Sequence, residues 1–211
     1  YAADCTRDLD RALAHAREAY ALSSRTPAYL RQLAGVNLAL ALHQSGGWQE
    51  CADLLEPLLE GGVEHDPVLA AALAVQLWQD EARHGSARLE ALPDLSGLDD
   101  KNTQAWYQQI IMVLARRDGD RQAAARAGAI SVTTIVTTSG LEDDFHPLWT
   151  RAVLASLDAG LLDQAQEQIA HVADAPVGLL TPALAAQLPR LQGLLTLARG
   201  GDPEPELRQA I

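Results

Sequence analysis

Glu167, His171 and Asp174 stand at i, i+4 and i+7. That spacing puts two carboxylates and an imidazole on one face of a helix, where they offer metal-ligand atoms. Acid–His pairs one turn apart are also ordinary features of a solvated helix face, and that is the better account of these three, with no metal and no cofactor expected. In "LEDDFHPLW" (141–149), Glu142, Asp143 and Asp144 precede a helix start and His146 follows. Acids there favour the positive end of the helix dipole, so capping accounts for them. "EHDP" (64–67) has the same form, with Asp66 as cap, and His15, His43 and His84 have no partner constellation.

The patterns that cradle phosphate, G-x-x-x-x-G-K-[ST] and G-x-G-x-x-G, do not occur in the chain. The H-E-x-x-H zinc pattern and the G-x-S-x-G nucleophile elbow are missing as well. The expectation is a chain that is not an enzyme.

Composition narrows the class further. Of 211 residues 48% are hydrophobic and only 4% aromatic, so packing must rely on Ala, Leu and Val, which suits closely approaching helices. The net charge of −12, with no basic cluster beyond pairs such as Arg116-Arg117, argues against direct nucleic-acid binding. Lys101 is the single lysine among 16 basic residues, a bias expected of a GC-rich bacterial genome. Cys5 and Cys51 form neither a disulfide framework nor a zinc site, and free thiols point to the cytoplasm. Apolar runs such as 68–75 are broken well short of the ~18–20 residues a bilayer requires, so no membrane is expected. The chain opens at Tyr1 without Met or signal peptide, and we expect it to be a piece of a longer protein.

A repeat supplies the elements that position these residues. "LALHQSGGWQECADLL" (40–55), "LARRDGDRQAAARA" (114–127) and "LASLDAGLLDQAQEQI" (154–169) each run from an apolar stretch through a polar patch and a Gly to an Ala five residues on. The pairs are Gly47/Ala52, Gly119/Ala124 and Gly160/Ala165. Gly ends one helix in a left-handed conformation, and Ala lets the next fold back closely. With Arg7/Ala12, Gly85 and Gly200 in phase, the spacings are 40, 38, 34, 41 and 40 residues. Stacked helix pairs follow, in a single domain over 1–211 of five to six units.

The periodicity predicts helices over 3–24, 27–45, 48–60, 67–84, 86–92, 100–117, 120–138, 146–159, 161–174, 181–199 and from 203 on. "SVTTIVTTSG" (131–140) is rich in β-formers, but no second such run exists to pair with it. Each Val, Ile or Thr costs up to ~0.7 kcal/mol in a helix, whereas burying Ile130, Val132, Ile135 and Val136 returns ~1.5–3 kcal/mol apiece. The run is therefore expected to be helical, or to pair with another subunit.

The Gly-to-Ala spacing, with Trp149, Gly160 and Ala165 in one unit and Gly193 and Gly200 in the last, resembles the tetratricopeptide repeat (TPR) family. The units exceed that family's usual length, and its Tyr before the turn and closing Pro are not matched. In texture the chain resembles the longer, degenerate repeats of bacterial multidomain regulators. The resemblance implies an all-α fold, a right-handed α-solenoid of stacked antiparallel helix pairs.

Ten residues before each turn position stand Asn37, Val75, Gln109, Thr150 and Arg190, mostly polar. Seven before it stand Leu40, Trp78, Met112, Val153 and Gly193. The resemblance implies that the first column lines a concave groove and the second packs between helices. Gln79, Arg83, Arg116 and Arg151 neighbour the first column. Isolated Arg residues can grip a carboxylate or phosphate bidentately, suiting a peptide terminus or a small anionic effector. Trp106, Trp149 and Tyr107 either stack on that partner or pack between helices. The Lys/Asn clamp of chaperone-binding TPR domains is not matched. The function expected is recognition of a protein, peptide or small effector. The alternative is a structural or oligomerisation spacer that binds another copy of itself.

Overall fold

The computed structural model describes residues 9–60, 100–141 and 145–210. Among these residues every regular element is helical. The chain divides after Thr103 into two compact units. The expected helices 67–84 and 86–92 lie outside the described residues.

In the first unit, α1 (Leu9–Leu22) packs on α2 (Ala28–Gln44), and α2 on α3 (Trp48–Glu60). The α1–α2 corner is a single 3-10 turn, Ser23–Arg25, closed by Thr26, whose hydroxyl donates 2.7 Å to the Ser23 carbonyl. Small residues carry the α2–α3 contact. Ala39 and Cys51 are both wholly buried, and the thiol donates to the Ala39 carbonyl at 3.3 Å. Arg17 of α1 reaches Glu50 of α3 at 2.6 Å on the surface.

The second unit contains α4 (Lys101–Arg117), whose first turn straddles the boundary, α5 (Arg121–Ser139), α6 (Phe145–Asp158), α7 (Leu162–Ala173), α8 (Pro182–Ala198) and α9 (Glu204–Gln209). Asp120 caps α5, accepting 2.8 Å from the Ala123 amide, and Thr181 caps α8 just before Pro182. These starts use the side-chain acceptors and first-turn Pro that helix ends favour.

Four of the turns share one chemistry. Gly46, Gly119, Gly160 and Gly200 take φ of 81°, 80°, 72° and 79°. The following amide reaches back five residues: Gly47 to Leu42, Asp120 to Ala115, Leu161 to Ser156, Gly201 to Thr196, at 2.8–2.9 Å. This is the glycine C-cap that satisfies the last carbonyls of a helix before the chain reverses. In the first hairpin the left-handed residue is Gly46, one before the expected Gly47. Counted from Gly46, the small residue five on is Cys51 rather than Ala52, and it is Cys51 that is buried.

The run "SVTTIVTTSG" lies mostly within α5, as the energetics require. Ser131, Val132 and Ile135 are at most 1% exposed. Thr137 and Thr138 donate to carbonyls a turn back, at 2.8–3.0 Å. Ile130 corrects the expectation of burial: it is 51% exposed, because the inward face of α5 at that level is taken by Ala127, Ser131 and Gly128.

Neighbouring helices approach through small and polar groups. A Cβ on Gly128 of α5 would lie 3.0 Å from Ala152 Cα of α6 and 3.2 Å from Met112 Sδ of α4, so any larger residue would have to push on the neighbouring helices where these three meet. The Trp149 indole, fully buried against Phe145, donates 2.7 Å to the Gln168 carbonyl of α7.

Candidate functional site

Among the described residues of the second unit, Gln109, Ser131, Ser156 and Gln168 are the polar side chains that are buried. Gln109 Nε2 of α4 donates 3.0 Å to Ser131 Oγ of α5 and 3.4 Å to the Leu148 carbonyl of α6. Ser131 Oγ donates 2.9 Å to the Ala105 carbonyl. One hairpin on, Ser156 Oγ of α6 meets Gln168 Oε1 of α7 at 3.0 Å. Gln164 Nε2 of α7 donates to Ser156 Oγ at 2.8 Å and back to the Ala125 carbonyl of α5 at 3.0 Å. Buried amides and hydroxyls are costly unless paired, so each such bond ties the stacking of helices to one register.

The expected groove residues have different fates. Gln109 is 0% exposed, so it belongs to the core and is out of a partner's reach. Arg116 sits at the turn end of α4, paired at 3.3 Å with Asp158 of α6, beside a pocket of about 260 Å³ that also includes Gly119, Arg121, Ala124 and Ala155. Thr150 and Arg151 are partly exposed on α6, although the Thr150 hydroxyl oxygen is itself buried without a hydrogen-bond partner. Arg190 is exposed on α8 and donates 2.8 Å to Gln187 Oε1. Asn37 is exposed on α2 in the first unit. Gln79 and Arg83 lie outside the described residues.

The turn register explains part of this. Ten residues before Gly46 stands Val36, which is buried, and seven before stands Ala39, also buried. Asn37 and Leu40 each fall one residue late in the columns expected of them. The seven-before column of Ala39, Met112, Val153 and Gly193 is buried throughout, as inter-helix packing requires. The ten-before column is not uniform: Val36 and Gln109 are buried, Thr150 is half-buried and Arg190 exposed.

What remains open is one face on each first helix of a pair. On α6 the partly exposed positions are Pro147, Thr150, Arg151, Leu154 and Leu157, recurring every three or four residues, while the opposite side holds Leu148, Trp149, Ala152 and Val153. On α8, Gln187, Arg190 and Leu194 repeat the spacing, and on α4 Gln104, Gln108, Ile111 and Ala115 do so. Trp106 and Trp149 are buried and so serve as core; Tyr107 is partly exposed.

Glu167 and His171 of α7 and Asp174 at its C-cap are exposed, lining an open cleft with Thr133 of α5. Among the described residues no group of three or more His, Cys, Asp or Glu side chains could hold a metal. Glu142, Asp143, Asp144, His65 and Asp66 fall outside the described residues. Sequence reasoning missed a second cleft, where α7, α8 and α9 meet, because its residues are spread over 166–209 and form no contiguous motif.

No helix of the described residues is long and apolar enough to cross a membrane. No family model matches this chain, and no curated protein matches it either. Among solved structures it is similar to the crystal structure of BtubC (BKLC) from P. vanneervenii, with a TM-score of 0.53 over 96% of this chain and 86% of that one. The two are 15% identical in sequence, so the likeness is one of fold.

Proposed function

We propose that this chain is a non-enzymatic recognition arm, a TPR-like right-handed α-solenoid that works in the cytoplasm and binds a protein or peptide segment, or a small effector, along the open face of its first helices. The observation that carries this reading is the repeated step between neighbouring pairs. Gln109 reaches a carbonyl 39 residues on, Gln164 one 39 residues back, and Arg116 an acid 42 residues on. A recurring step of 39–42 residues is what stacked helix pairs produce, and stacking leaves the same face of each first helix uncovered. Arg151 of α6 and Arg190 of α8 stand on that face with cationic groups, and Thr150 borders it. Arg at such positions orients a carboxylate or backbone carbonyls of an extended segment.

The test is affinity capture from source lysate, using the wild-type chain beside a Thr150→Ala, Arg151→Ala, Arg190→Ala variant shown by circular dichroism to be equally helical. A protein retained by wild type and lost from the variant supports recognition through this face. Equal retention removes the face from the interface.

A spacer that pairs with its own copies is the second reading, favoured by the exposed Ile130 and the outward Thr133 and Thr137 on the same side of α5. It predicts a sedimentation coefficient that rises with concentration and ceases to do so in Ile130→Glu.

A further inference from the structure

The cleft between α7, α8 and α9 has a volume of about 590 Å³ and is lined by both apolar and polar groups. That volume lies in the ~300–1,000 Å³ range of small-ligand pockets. Glu206 is the centre of interest. Its Oε1 accepts 3.0 Å from the Thr196 hydroxyl, while its Oε2 is buried and has no hydrogen-bond partner. A buried carboxylate oxygen without a donor is costly, and native structures seldom leave one so.

The surroundings say what kind of donor would fit. Asp174 adds a second carboxylate to the cleft wall, and Gln192 and Gln209 add amides; their side chains make no hydrogen bond among the described residues. Arg199, the cation at the rim, is already engaged, donating 2.5 Å to Gln166 Oε1 and lying 3.4 Å from Asp163 Oδ1. With two carboxylates in the lining against one guanidinium that is itself paired with Asp163, the formal charge around the cleft is negative. Ile169, Ala170, Ala173 and Leu195 supply apolar wall between the polar groups.

We infer that this cleft binds a primary ammonium group carried on an aliphatic stem. The ammonium donates to Glu206 Oε2 and is held in the field of Asp174, while the methylenes lie along Ile169 and Leu195. A lysine side chain and a free alkyl diamine both offer this chemistry, and neither requires the open face described above. Glycine at 193 is part of the construction: a Cβ there would stand 3.0 Å from Leu207, so Gly193 lets α9 approach closely enough to bring Glu206 over the cleft.

The experiment is isothermal titration of the whole chain with 1,5-diaminopentane, with Nα-acetyl-lysine methylamide and with 1-pentanol. Both amines are expected to bind and the alcohol not to. Tighter binding of the diamine assigns the cleft to free amines, and tighter binding of the blocked lysine assigns it to protein segments. Glu206→Gln keeps the shape and the acceptor for Thr196, and is expected to weaken amine binding about tenfold or more. Asp174→Asn, at an exposed position where folding is not at stake, is expected to weaken it less. Failure of both amines to bind at millimolar concentration, or an affinity unchanged in Glu206→Gln, overturns the proposal.

Discussion

Gln109 and Ser131 form a buried relay: the amide donates 3.0 Å to the hydroxyl, which donates 2.9 Å to the Ala105 carbonyl on the amide's own helix. The pair joins α4 to α5, and the second bond of the amide, to Leu148, joins α4 to α6. Removing it should be felt by three helices together. Gln109→Ala is expected to cost about 2–4 kcal/mol in urea unfolding, combining lost hydrogen bonds with a cavity. Gln109→Leu should cost less, because it also removes Oε1, which meets no donor. A loss under about 0.5 kcal/mol for the alanine variant would show that the relay carries no stability.

Two glycines separate conformational from steric cost. At Gly160, φ is 72° and a Cβ would meet nothing within 4 Å, so Gly160→Ala should lose about 1–2 kcal/mol through backbone conformation alone. Asn there should recover part of it, since Asn tolerates the left-handed region. At Gly128 the obstruction is Ala152 backbone at 3.0 Å, and Gly128→Val should cost about 2–3 kcal/mol by forcing helices apart. Thermal unfolding of the three variants checks the order.

The hairpins were legible because the glycine C-cap is a local event: it needs one residue at positive φ, and the sequence shows where one is available. "SGGW" offers two, and a register counted from Gly47 instead of Gly46 puts Asn37 in a column where Val36 belongs. The helical fate of "SVTTIVTTSG" was legible too, since Val132 and Ile135 had nowhere else to be buried. Gln109 was not. An amide in an apolar helix looks identical in sequence whether it faces a ligand or a serine 22 residues away, and only the tertiary partner decides. The α7–α8–α9 cleft was hidden for the same reason.

The tryptophans give an internal contrast. Trp149 is wholly buried with its indole nitrogen bonded, whereas Trp48 is 50% exposed. Trp149→Phe should cost about 1–3 kcal/mol because the Gln168 carbonyl loses its buried donor. Trp48→Phe should change stability by less than about 0.5 kcal/mol. Paired unfolding curves followed by far-ultraviolet circular dichroism test both.

The Arg17–Glu50 pair, at 2.6 Å, has both side chains about half exposed. Solvent screening limits such a pair, so a double-mutant cycle should return less than about 1 kcal/mol, and less still at high salt.

Recognition by the uncovered faces of the first helices is tested most directly by hydrogen exchange on the chain with its captured partner bound. Binding there predicts slowed exchange in segments of α4, α6 and α8 around Ile111, Thr150 and Arg190, with α5 and α7 unchanged. Protection confined to α5 and α7 would contradict it and place the interface on the opposite helices.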